Sequence, residues 1–382
     1  MTSEEEVFLY DDHQSLIQEL GFAGRPLADL IYEIQELYIS DSRPWIIGFS
    51  GGKDSTTVVS LVVSSLQQLP KEKLQKPVFI VSSDTLVETP LVIDVIKEAL
   101  DSINNWALDN NTPMSAHSVF PNNDQTFWVN LLGRGYPAPS SKFRWCTERM
   151  KIDPVSEFIL NTVSEYGEVI VLLGSRSQES ASRAQVIAKH RIEGTSLGRH
   201  SSLPNAYTYM PIVDWNADEV WEYLMSAPRP WGGTNRALFD LYKGSNQGEC
   251  PLVIDKSTPS CGNSRFGCWT CTVVTEDKAL HGLIEAGDHW MLPLLEFRNQ
   301  LYQSAQPENS TEFRNTKRRT GRVSFDKKGD RLEGQKHIRG PYWMTKRHLF
   351  VKELLKVEKE IRLTKPDMEL IKREELQLIR QH

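Results

Sequence analysis

The hexapeptide Ser50-Gly51-Gly52-Lys53-Asp54-Ser55 carries the residue types of a phosphate-holding turn. It follows the apolar run Trp45-Ile46-Ile47-Gly48-Phe49 and precedes a helix-like run over 56–66, so it reads as strand, glycine turn, helix. Backbone N–H groups of such a turn, together with the positive end of the following helix, hold phosphate oxygens. Lys53 adds a point charge for a polyphosphate, and Ser50 and Ser55 offer hydroxyls to phosphate or Mg²⁺. The spacing is not G-x-x-x-x-G-K-[ST], so γ-phosphate hydrolysis is not the default chemistry. The competing reading is a Gly-Gly turn beside a solvated lysine; the flanking strand and helix favour the phosphate site.

Two further segments sit where a strand ends. Asp84-Thr85 closes the run Val78-Phe79-Ile80-Val81 and suits contact with adenine, ribose or metal, or else a helix cap. Gly174-Ser175-Arg176-Ser177-Gln178-Glu179-Ser180-Ala181-Ser182-Arg183 follows the run Val169-Ile170-Val171-Leu172-Leu173. Its Arg176 and Arg183 are candidates to clamp phosphates or neutralise charge that develops during transfer. Glu179 suits orienting an arginine or binding metal, and the alternative for the whole segment is a capped helix start.

The chain has five cysteines: Cys146, Cys250, Cys261, Cys268 and Cys271. An odd count in a chain expected to be cytoplasmic points to metal or redox chemistry and away from a disulfide framework. Cys250, Cys261, Cys268 and Cys271 follow a C-x10-C-x6-C-x2-C pattern in a Gly-, Pro- and Ser-rich stretch. Four thiolates there suit Zn²⁺ or an iron–sulfur cluster, and spacing alone leaves both open. Cys146 is flanked by Lys142, Arg144, Arg149 and Lys151, cations that would favour its thiolate. Its bland alternative is a small buried apolar residue.

Strands alternating with helices imply an α/β fold, a doubly wound, mainly parallel sheet with ligands at the carboxyl ends of its strands. The organisation expected is a helical segment over 1–40, a nucleotide-type domain over 41–225, an irregular cysteine-rich insert over 226–280, and a basic, helical region over 281–382. Within the last, Arg314, Lys317, Arg318, Arg319, Arg322, Lys327, Lys328, Arg331, Lys336, Arg339, Lys346 and Arg347 alternate with Phe313, Phe325, Tyr342 and Trp343. That mixture suits a nucleic-acid backbone, although a charge run is more often a solvated face. The whole chain has a net charge of −6, so such contact must come from this local patch (about 314–347). The acidic start lacks the apolar stretch of a signal peptide, and no apolar run approaches membrane-span length. A cytoplasmic location without membrane contact is expected by elimination.

Taken together, these residues resemble the PP-loop relatives of PAPS reductase. The resemblance rests on 50–55, on Ser83-Asp84-Thr85, on the block around Cys146 from Arg144 to Pro154, and on 174–183. Met210-Pro211-Ile212-Val213-Asp214-Trp215 leading into Asp218-Glu219-Val220-Trp221 completes it, so that it covers roughly 40–225. The segment from Gly248-Glu249-Cys250-Pro251 to Cys268-Trp269-Thr270-Cys271 narrows it to DndC-type DNA sulfur-modification proteins, including the single-strand-modifying relatives called SspD. The resemblance implies an ATP pyrophosphatase with Mg²⁺ and a [4Fe–4S] cluster on the four local cysteines. It implies work with a cysteine desulfurase and other sulfur-modification subunits to replace a non-bridging DNA phosphate oxygen by sulfur. On that basis Ser50, Gly51, Gly52, Lys53, Asp54, Ser55, Asp84, Gly174 and Arg176 would contact ATP. Lys53, Asp54, Arg176, Arg183 and Cys146 would carry the chemistry, with Cys146 as sulfur relay or cluster ligand. Sulfonucleotide reductases place a nucleophilic cysteine near their C-terminus; no cysteine follows Cys271 here, which disfavours that activity. The rivals are a tRNA-thiolating enzyme with the same adenylation logic and a nucleotide-binding, DNA-binding scaffold without turnover.

Overall fold

The computed structural model describes residues 20–245, 267–325 and 337–382. Six strands form the central sheet: β1 (Trp45–Gly48), β2 (Val78–Ser83), β3 (Met114–Val119), β4 (Val169–Leu172), β5 (Leu197–Arg199) and β6 (Ala206–Tyr209). Their spatial order is β3-β2-β1-β4-β6-β5, parallel throughout except for β5 against β6. The chain winds outward from β1 through β2 to β3, then returns to place β4 on the other side of β1. The crevice at that reversal lies outside the carboxyl ends of β1 and β4, where open α/β sheets bind ligands.

The central strands read as continuous apolar runs because both of their faces are covered. β1 and β4 are buried at every position. Trp45, Ile47, Ile170 and Leu172 pack into the cluster formed with α1 (Leu27–Ile39), α2 (Lys53–Gln67) and α3 (Pro90–Asp109). Ile46, Val169 and Val171 point the other way, onto α4 (Asp153–Tyr166). α2 is buried almost all round, so its polar residues are satisfied within the helix: Thr57 Oγ1 donates to Lys53 O (2.9 Å) and Ser65 Oγ to Leu61 O (2.7 Å).

Beyond β4 come α5 (Ala181–His190), α6 (Ala217–Ser226) and α7 (Arg236–Ser245). The composition over 228–275 reads as irregular, yet α7 forms there, with Leu238 in the main core. The C-terminal region supplies α8 (Lys278–Glu285), α9 (Leu292–Ala305), α10 (Met344–Ile361) and α11 (Arg373–Gln381). The helical C-terminal region is thus divided between α10 and α11. Pro366 cannot continue α10, and Glu358 Oε2 instead accepts from the backbone N–H groups of Leu370 (2.8 Å) and Ile371 (3.3 Å).

A second core joins segments distant in sequence. Phe127, Trp128, Trp145 and Met150 pack with Trp269, Phe297, Tyr342 and Phe350. Trp128 Nε1 donates to Leu370 O at 2.6 Å, across 242 positions of sequence. The C-terminal region is thus built onto the segment that carries Cys146.

Candidate nucleotide and thiol site

The turn after β1 has the backbone its glycines permit. Gly51 sits at φ +69°, and a Cβ there would fall 2.6 Å from Ile96 Cγ1. Gly52 is the extended residue before α2, which leaves the first N–H groups of that helix at the crevice. Ser55 Oγ accepts from Ser50 N (3.2 Å) and donates to Gly52 O (3.0 Å), with Ser50 Oγ 3.1 Å away. The two hydroxyls thus sit side by side at the turn. Tyr242 of α7 places its hydroxyl 3.3 Å from Lys53 N.

Lys53 is 3% exposed, and its Nζ lies 2.9 Å from Asp54 Oδ2. Arg176 is 1% exposed; its Nε donates to Asp54 Oδ1 (2.6 Å) and its Nη1 to Trp215 O (3.2 Å). One carboxylate therefore ties the turn after β1 to the loop after β4. Gly174 lets that loop approach: a Cβ there would lie 2.8 Å from the carbonyl carbon of Asp54 and 3.0 Å from Ser55 N. Both are backbone atoms and cannot swing aside. Gly174→Ala is accordingly expected to push the two loops apart, destabilise the fold by about 1–3 kcal/mol and weaken nucleotide binding. Urea unfolding and titration with a non-hydrolysable ATP analogue check this; wild-type values in both would contradict it.

Arg183 opens no path of its own to that turn. It is buried, pairs with Glu179 (2.6 Å) and donates to Ser175 Oγ (3.4 Å). Glu179 also accepts from Arg176 N (2.9 Å), so it fixes the loop that carries both arginines. A cavity of about 1080 Å³ begins at Ser175 and Arg183 and runs under α5 to β5, away from residues 50–55.

On the other side of β1, Asp84 follows β2. Its Oδ1 accepts from Leu86 N (2.8 Å), which holds Leu86 in the left-handed region at φ +64°. Burial pushes the Asp84 carboxyl above its ordinary value of 3.8, opposed by the Leu86 N–H and reinforced by Glu88. An acid raised in this way binds more protons folded than unfolded, so stability falls as pH climbs from 3.8 through the raised value, and the cost persists at neutral pH. Asp84→Asn keeps the acceptor oxygen and removes the charge. Its urea midpoint at pH 7 is expected to exceed that of wild type, with the gap closing as pH falls toward 3.8; a lower midpoint would contradict this.

The loop that starts at Asp84 then reaches the thiols. Thr85 Oγ1 lies 3.3 Å from Cys268 Sγ and donates to Glu88 Oε1 (3.0 Å). Cys268 Sγ donates to the same carboxylate at 3.6 Å, and Lys151 pairs with it at 3.2 Å. Thr89 N and Oγ1 both donate to Gly267 O, and Trp269 N donates to Val87 O (3.1 Å). Burial, with Glu88 next, raises the Cys268 thiol well above its ordinary range.

Cys268 and Cys271 stand at the two ends of a tight turn closed by Cys271 N, which donates to Cys268 O (3.0 Å). Cys146, half-buried on the short helical turn Trp145–Thr147, borders the same apolar cluster as Cys268. Cys250 and Cys261 lie outside the described residues, and among the described residues no three His, Cys, Asp or Glu side chains are grouped to hold a metal ion. The half of the four-cysteine set that is described nonetheless fits a cluster. Its two sulfurs are paired on one turn and backed by Trp269, and Thr270 Oγ1 between them is buried without a hydrogen-bond partner. A cluster sulfur is an acceptor such a hydroxyl lacks.

Glu88 and Tyr242 were invisible as site residues in the sequence, because nothing local marks a partner some 180 positions away. Lys151 was visible only as one of four cations around Cys146.

A parallel sheet with this glycine turn at its switch point defines an α/β protein of the PP-loop class. Residues 44–274, more than half of the chain, match the phosphoadenosine phosphosulfate reductase domain, and the chain belongs to that family. The uncharacterized protein MJ0066 of Methanocaldococcus jannaschii is 25% identical over 207 residues, which are 54% of this chain and 36% of that protein. The chain thus spans about a third of the length of that relative. Among solved structures, the PAPS reductase of Candida auris aligns at 15% identity and a TM-score of 0.35, over 63% of this chain and 92% of that one. The U34-tRNA thiolase NcsA of Methanococcus maripaludis, with its [4Fe-4S] cluster, aligns at 12% identity and a TM-score of 0.30, over 59% and 77%. No helix among the described residues is long and apolar enough to cross a membrane.

Proposed function

We propose that the protein cleaves ATP between its α- and β-phosphates to adenylate a backbone phosphate of DNA, which sulfur from a cysteine desulfurase then attacks. One observation carries the proposal. The loop from Asp84 to Thr89 starts at the carboxyl end of β2, the strand beside β1, and touches Cys268 through Thr85 and Glu88, which supports placing adenylation and thiol chemistry side by side.

In this reading the turn at 50–55 and the N–H groups of α2 receive the polyphosphate. Lys53 leaves Asp54 to meet the phosphates, while Arg176 keeps Asp54 in place. A non-bridging oxygen of DNA attacks the α-phosphorus; that P–O bond forms as the bond to pyrophosphate breaks. Mg²⁺, near the hydroxyls of Ser50 and Ser55, would neutralise charge on the departing pyrophosphate. The terminal sulfur of a persulfide then attacks the adenylated phosphorus. A P–S bond forms as the bond to AMP breaks, and a thiol supplies the two electrons that cleave the remaining S–S bond. Cys146 suits the relay of that sulfur. Cys250, Cys261, Cys268 and Cys271 would hold a [4Fe–4S] cluster, which supplies one-electron chemistry or a binding point for sulfide.

The basic region divides into two sets of cations. Arg314 donates to Gly340 O and Arg339 O, Arg347 donates to Gly133 O, and Lys346 covers the Phe313 ring at 4.4 Å; these three hold the region together. Lys317, Arg318, Arg319 and Arg322 are exposed and remain for a nucleic-acid backbone.

Incubating the anaerobically purified protein with DNA, ATP, cysteine and a cysteine desulfurase tests the proposal. Nuclease-resistant dinucleotides containing sulfur, seen by mass spectrometry, are the expected product. Sulfur found in tRNA and not in DNA would move the activity to the other polymer. For the cofactor, Cys271→Ser is expected to lose iron and acid-labile sulfide while it keeps ATP-analogue affinity; unchanged iron content would remove that cysteine from the ligand set.

A further inference from the structure

We infer that the face around Tyr136 is a base-stacking platform that takes an unpaired nucleic-acid strand and leads it past Cys146. This rests on the proposed function for the identity of the polymer, but the geometry comes from two segments that the sequence keeps far apart.

Tyr136 is half-buried, with Trp145 edge-on beneath it at 5.6 Å. Arg149 and Arg319 each lie over its ring, at 5.4 Å and 5.5 Å. Phe143, 44% exposed, tilts against it at 6.2 Å. Arg319 comes from the basic region, which is docked here by Tyr342: its N–H donates to Gly135 O (2.7 Å), and its hydroxyl accepts from Ala138 N (2.9 Å). The next residue, Trp343, is 37% exposed. The cations around Cys146 and those of 314–347 therefore form one surface, with Lys142 and Phe143 at one end and Arg318, Arg319 and Arg322 at the other.

Phe143 and Trp343 are the exposed rings of this surface, and Tyr136, covered by two guanidiniums, is its anchor. Exposed rings beside exposed cations are how proteins hold single strands: the cations track phosphates while bases stack on the rings. A duplex keeps its bases stacked on one another and gains nothing from Phe143. An acidic protein partner would use the arginines but would not need the rings. Trp145 supports Tyr136 from below and is followed in sequence by Cys146, so the platform and the thiol are carried by one short helical turn.

The test is binding by the full chain, without ATP, of a fluorescent single-stranded DNA oligonucleotide and of the same sequence as duplex. Phe143→Ala removes an exposed ring and is expected to weaken single-strand binding roughly tenfold or more while leaving duplex binding unchanged. Arg318→Ala with Arg319→Ala is expected to flatten the slope of log affinity against log salt by about 1.4, the loss of two single-strand phosphate contacts. Equal loss for strand and duplex, no loss for either, or tighter binding of duplex by the wild type would overturn the platform. Because ATP is absent, the outcome is separable from the reaction. Selective single-strand binding without AMP formation would leave the platform and remove the adenylation; DNA-stimulated AMP formation with normal binding by Phe143→Ala would do the reverse.

Discussion

Lys53→Ala is expected to lower the rate of AMP and pyrophosphate formation by about 10²–10³-fold, the loss that follows removal of one preorganised charge at a reacting centre. Lys53 stands at the first position of α2 and is 3% exposed, so its charge is desolvated and aimed by the helix start. That charge lies against Asp54, 2.9 Å from its Oδ2. A polyphosphate presents more negative charge than one carboxylate, and transfer of the ammonium from Asp54 to the phosphates couples binding to activation of the turn. The variant should still fold, because Asp54 keeps its shorter bond to Arg176 at 2.6 Å. Urea unfolding of the variant without nucleotide separates the two effects: a midpoint near that of wild type with lost turnover is the expected pair. Retained turnover would remove Lys53 from the chemistry.

Arg176→Ala is expected to act on stability and activity together. Both partners of the Arg176–Asp54 pair are shielded, at 2% and 15% side-chain exposure, so water screens little of it. Breaking a buried pair costs about 3–5 kcal/mol, and the lower end applies because Lys53 remains against Asp54. The loss should appear as a lower urea midpoint at unchanged slope. Arg176→Lys should not restore it. A lysine has one ammonium and cannot reach Asp54 Oδ1 and Trp215 O from the two ends of a planar fork. If Arg176 instead served only as a phosphate clamp, turnover would fall with no change in midpoint.

The contrast between these residues shows what the sequence could disclose. The glycine turn, β1, β2, β4 and α2 were legible because a parallel strand buried on both faces must be apolar throughout and a phosphate turn needs glycines at fixed spacing. β3 was not legible. It is an edge strand, Met114–Val119, with only Met114 fully buried, and its Ser and His residues blur any alternation. Arg176 and Arg183 stood out as charges beside a strand end; Arg183 pairs locally with Glu179, but the engagement of Arg176 with Asp54 depends on the packing of Gly174 against α2. The cation count over 314–347 did not separate Arg314 and Arg347, which staple backbone carbonyls, from Arg319, which lies over a ring. Those assignments come from contacts 26 to 214 positions apart, and no local pattern encodes them.

The most direct test of α–β cleavage is the nucleotide product made by anaerobically purified protein, with and without DNA. AMP and pyrophosphate in equal amounts, stimulated by DNA and absent from Lys53→Ala, is the predicted result. ADP and phosphate, or no turnover with any nucleic acid offered, would contradict it and leave the glycine turn as a site that binds nucleotide without using it.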